Sequence, residues 1–121
     1  MSFRGNQFPS LASPAVTVCR FGLGWGLCFN RPAKKEAIGT KKFVRITPDK
    51  ESGLIRVEFL SSKSDGCYSI AGKGSAYRDV VCLAHISEEQ TKWFMLNGKE
   101  KKQFILRKKS AFSSEWYIAV R

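Results

Sequence analysis

Cysteine, histidine and clustered lysine are the side chains in this sequence whose types and spacing could do chemistry. Cys19, Cys28, Cys67 and Cys82 are separated by long intervals, whereas zinc knuckles and ribbons take ligand pairs about two to four residues apart. His85 brings no second imidazole, so no metal and no cofactor is expected. Cys67 and Cys82 read as buried thiols of a reducing compartment, because both stand in apolar, strand-like contexts. A disulfide between them is the minority reading. Cys82 and His85 are three positions apart, so on one strand they face opposite ways and form no local dyad. Gly72-Lys73-Gly74-Ser75 invites comparison with a phosphate loop and fails it. The earlier glycine, Gly66, is six positions before Gly72 rather than five, and Gly74 follows the lysine where Ser or Thr is needed. With no acid–base carboxylate pair either, a non-enzymatic role is expected.

The densest signal is Lys99-Glu-Lys-Lys-Gln-Phe-Ile-Leu-Arg-Lys-Lys109, six cations and one anion in eleven residues. Over all 121 residues, 21 Lys and Arg face 10 Asp and Glu, a formal charge of +11. Such an excess on a small chain favours a polyanionic partner. Nucleic acid is the leading candidate, single strands favoured weakly over duplex, and an anionic membrane surface comes next. On this reading Lys99, Lys101, Lys102, Arg107, Lys108 and Lys109 straddle a phosphate backbone, and Lys73 and Arg78 add contacts from a loop. Phe43 beside Arg45, and Tyr77 beside Arg78, supply aromatic faces next to cations, the combination that base stacking needs. Tyr117 belongs with them, on the face opposite Trp116. Phe59, Phe104 and Trp116 read as core.

The elements that must position these groups begin near Thr40. Lys42–Thr47 alternates, with Val44 and Ile46 on one face and Phe43 and Arg45 on the other. Pro48–Gly53 is a turn by its Pro, Asp and Gly. Leu54–Leu60 alternates again, turning Ile55, Val57 and Phe59 away from Arg56 and Glu58. Ser61–Gly66 is the next turn, Cys67–Ala71 a short strand, and Gly72–Asp79 a polar loop. Val80–Ile86 is nearly all apolar and reads as a central strand. Ser87-Glu-Glu-Gln90 is a capping box that opens a helix over about 88–96, ended by Asn97-Gly98. Gln103–Arg107 and Glu115–Val120 read as a final hairpin. The sum is an α+β fold, a mainly antiparallel sheet or small open barrel of about six strands with one short helix.

Residues 1–35 differ in texture: basic, glycine-containing and without a single acid. Ala15–Phe29 is apolar but too short to span a membrane, so no integral insertion is expected. Gly22, Gly24 and Gly26 alternate with Leu23, Trp25 and Leu27, which suits an extended chain better than a helix. The reading is an N-terminal arm over 1–35, or a strand docked on a β-rich domain over 36–121 or on a neighbouring subunit; a homo-oligomer stays open. Organelle targeting by residues 1–35 is the second reading, and membrane-surface attachment through 15–29 with Lys34 and Lys35 a weak third. The rival to nucleic-acid binding is an adaptor that grips an acidic protein, the arm adding a strand to its partner's sheet.

Overall fold

Apolar residues at every second position build this molecule, and they form two sheets rather than one. The structure, a computed structural model, describes residues 13–49, 51–71, 82–110 and 115–120. Among these, β1 (Ala15–Phe21), β2 (Gly24–Phe29), β6 (Cys82–Ile86) and β7 (Lys101–Ile105) make a four-stranded sheet in the order β6-β2-β1-β7. The second sheet runs β5-β3-β4-β9-β8, from β5 (Tyr68–Ser69), β3 (Phe43–Asp49), β4 (Leu54–Leu60), β9 (Trp116–Ala119) and β8 (Arg107–Lys108). Every pairing is antiparallel. The inner faces meet in one core, where the rings of Phe29 on β2 and Phe59 on β4 pack edge to face at 5.7 Å. The sheets do not close into a barrel. The nine strands exceed the expected six because residues 15–29 contribute two and residues 101–108 are divided between the sheets.

The segment read as an arm is a hairpin in the middle of the first sheet. Phe21 pairs with Gly24 around the two-residue loop Gly22-Leu23. Gly22 has φ 59°, the left-handed conformation such loops demand. Val16, Val18, Leu27 and Phe29 enter the same core as β3 and β4. Ala15, Thr17, Cys19 and Cys28 on the other face are also buried, which explains why the run carries so few polar side chains. Asn30 fastens the hairpin to the helical segment after it. Its Oδ1 accepts the N–H of Ala15 and of Ala33, both at 3.0 Å, and thereby caps α1 (Arg31–Ala33). The chain continues as a wider helical turn, Lys34–Ile38.

Since β1 and β2 hold the centre, the part of the expected central strand Val80–Ile86 that the structure describes, Cys82–Ile86, supplies an edge instead. β6 pairs with β2 alone, and His85 on it is exposed. The capping box forms as expected, with Ser87 Oγ accepting from Gln90 N–H and Gln90 Oε1 from Ser87 N–H, but the α-helical part of α2 is only Glu88–Thr91. A 3₁₀ turn, Lys92–Phe94, follows. Positive φ at Met95, Asn97 and Gly98 ends it.

The largest departure is at the C-terminal hairpin. Residues 101–105 pair with β1 in the first sheet, and only Arg107–Lys108 pairs with β9 in the second. Leu106, buried between them, is where the strand changes sheets. Its N–H is held by Pro14 O at 3.0 Å.

Candidate nucleic-acid interface

The bend at Leu106 decides where the basic run points. Phe104 and Leu106 are buried while Lys101, Arg107 and Lys109 are exposed, so alternation carries through the corner and divides the cations by parity. Lys102 and Lys108 have the inward parity. Their ammonium groups lie over the rings of Phe104 and Trp116, at 5.3 and 5.5 Å from the centroids, and Lys102 also donates to Met95 O. Both hold their charge over core aromatics, Lys102 half-buried and Lys108 exposed. Lys99 is exposed, just beyond the turn that follows α2. Lys101 stands opposite Cys19 on the outer side of the four-stranded sheet. The run therefore does not present one continuous phosphate contact.

Phe43, Arg45, Arg107 and Lys109 lie spread over the outer face of the five-stranded sheet, and Tyr117 lies on it too. Register arranges this face in rows. One row runs Thr47–Arg56–Tyr117–Arg107 across four strands. Tyr117 is half-buried, Arg56 and Arg107 are exposed, and no acid interrupts them. The neighbouring row is neutral. Arg45 Nε donates to Glu58 Oε1 at 3.0 Å, and at the far edge Lys109 lies 3.9 Å from Glu115. Arg45 is further engaged with Ser64 Oγ and Asp65 O, which ties the 61–66 turn to the sheet. The Arg45 hydrogen bond holds the Glu58 carboxyl below its usual range, against a smaller desolvation effect and with help from Arg56. Arg45 is thus a structural ion pair as well as part of the face. The outermost row, Ser69–Phe43–Leu60, carries no charge.

Arg56 was not among the expected contacts, although the alternation of 54–60 already turned it outward beside Glu58. Lys73, Tyr77 and Arg78 lie outside the described residues. Cys67 is not buried: it precedes β5 and its Sγ accepts the N–H of Ser64 at 3.2 Å. The close thiol pair is Cys19 and Cys28, with Sγ atoms 3.2 Å apart on the outer side of β1 and β2. Their shared hydrogen bond lowers the Cys19 thiol and, with burial, raises that of Cys28. Among the described residues no three His, Cys, Asp or Glu side chains converge as a metal site would require, and no helix is long and apolar enough to cross a membrane. Comparison of the chain with family models, curated proteins and solved structures returned no match.

Proposed function

We propose that this protein binds single-stranded nucleic acid on the outer face of its five-stranded sheet, without catalysing a reaction. The row Arg56–Tyr117–Arg107 carries the reading: an aromatic side chain flanked in register by two guanidinium groups, the nearest carboxylate to Arg56 being Glu58 of the next row at 3.9 Å. A base stacks on Tyr117, and the arginines hold the phosphates on either side. Phe43 offers a second aromatic surface two strands and four residues away. On ideal strand spacings that is roughly 17 Å, so several nucleotides are needed to touch both. The neutral Arg45–Glu58 row between them adds little charge and ties β3 to β4. The net charge of +11 supports capture at long range.

The test is fluorescence anisotropy of labelled single-stranded oligonucleotides across a salt series. Tyr117→Ala is expected to cost on the order of 1–3 kcal/mol with the salt slope nearly unchanged. Arg56→Gln and Arg107→Gln are each expected to reduce that slope by about 0.7, one phosphate contact on a single strand. Wild-type-like binding by all three variants, or no binding by the wild type even at low salt, overturns the proposal and leaves the acidic-protein adaptor. Such an adaptor could not use β1 or β2 for strand addition, because both have neighbours on either side.

A further inference from the structure

At the Phe43 end of the same face lies an open cleft of about 420 Å³, between the Lys34–Ile38 turn, the start of β3 and the end of β5. Small-molecule sites start at about 300 Å³, so the pocket has the size of a ligand site rather than of a packing defect. Its walls are fixed by backbone hydrogen bonds. Gly39 N–H closes on Lys34 O at 2.8 Å, Lys41 N–H on Ile38 O at 2.9 Å, and Ile70 N–H on Lys42 O at 2.9 Å. Gly39 makes the bend with φ 57° and ψ −120°, a combination that side chains disfavour.

The lining mixes apolar and cationic side chains. Ile38, Phe43 and Ile70 are its apolar members, and Ile38 is itself part of the core. Lys34, Lys41 and Lys42 supply cations, and among the described residues no carboxylate lines the pocket. Lys34 Nζ is spent on Gly39 O at 2.7 Å, where it holds the turn. Lys41 and Lys42 are exposed, which leaves their ammonium groups to meet an anion, and the Ser69 hydroxyl is a further donor on the opposite rim. Apolar side chains beside two lysines and a hydroxyl suit a ligand that carries both a ring and a phosphate.

We propose that this pocket is a site for one nucleoside monophosphate unit, its base against Phe43 and Ile70 and its phosphate on Lys41 and Lys42. In the strand-bound protein that unit is the nucleotide at the Phe43 end of the track, an assignment that rests on the function proposed above. The pocket itself does not depend on strand binding, since a free nucleotide carries the same two groups.

The experiment titrates adenosine monophosphate, adenosine and inorganic phosphate separately into the full chain, read by amide chemical shifts. The nucleotide is expected to give saturable shifts at Lys42, Phe43 and Ile70, and each half-ligand to bind about tenfold more weakly or worse. Lys41→Gln and Lys42→Gln are expected to weaken the saturation at Lys42, Phe43 and Ile70 about tenfold. Phosphate binding as tightly as the nucleotide, nucleotide shifts that leave Lys42, Phe43 and Ile70 unmoved, or no saturation at millimolar nucleotide overturns the site. An oligonucleotide arm separates the two readings. Oligonucleotide binding that needs Tyr117 but is indifferent to the pocket keeps the interface and rejects the pocket. Nucleotide binding without oligonucleotide binding does the reverse.

Discussion

Glu58 lies between two arginines, 3.0 Å from Arg45 Nε and 3.9 Å from Arg56 Nε, and its titration is the residue-scale property most open to measurement. A carboxyl whose folded value is depressed contributes stability above its unfolded value, about 4.3 for Glu, and that stability is lost as pH falls through the lower folded value. Urea midpoints followed from neutral pH down to about pH 2 are therefore expected to fall less steeply in Glu58→Gln than in the wild type. The variant should start from a lower midpoint at neutral pH; identical acid limbs would mean that the pair adds nothing. The thiols allow a second test. Cys67 is half-exposed while Cys19 and Cys28 are each 2% exposed, so brief native-state alkylation mapped by mass spectrometry is expected to label Cys67 well before the other two. At this scale alternation made Phe43, Arg45 and Arg56 readable, because each needs only its own strand. The row Arg56–Tyr117–Arg107 was not readable, because it depends on the register of three strands distant in sequence. The Cys19–Cys28 contact was hidden for a similar reason: it appears only once 15–29 is folded as a hairpin.

Among the elements, the β1–β2 hairpin bears most on stability. Phe29 is fully buried between the sheets, and Phe29→Ala is expected to cost about 3–5 kcal/mol in chemical denaturation. A fragment of residues 36–121 lacks the two central strands of the first sheet and is expected to give no sigmoidal melt by far-UV dichroism. Cooperative melting of that fragment would show that the second sheet folds alone. Local signals located β3, β4 and the capped start of α2 well, since alternation and capping are properties of adjacent residues. The glycine alternation of 22–26 did indicate an extended chain, yet no Asn-Gly or Asp-Gly marked the turn at Gly22-Leu23. Apolar content then misassigned the centre of the sheet to Val80–Ile86. The break at Leu106 had no local signal at all. Alternation continues through it, and the change of sheet is decided by β1 on one side and β9 on the other.

For the molecule as a whole, connectivity is long-range. Ala15 pairs with Ile105, and Leu54 with Ala119. Such pairings close large loops before any contact compensates for the lost entropy. Refolding by stopped-flow fluorescence is expected on the order of milliseconds to seconds, the range of all-β domains, and a microsecond phase carrying the full amplitude would contradict it. Both sheets should recover together, because one continuous run of chain through Leu106 serves them both. The order of synthesis turns that shared run into a hazard. β1 is made early and its outer partner β7 late, so a growing chain holds an apolar strand with an unsatisfied edge until Lys101–Ile105 arrives. A ribosome that stalls before Lys101 would release a template for aggregation rather than a smaller folded protein.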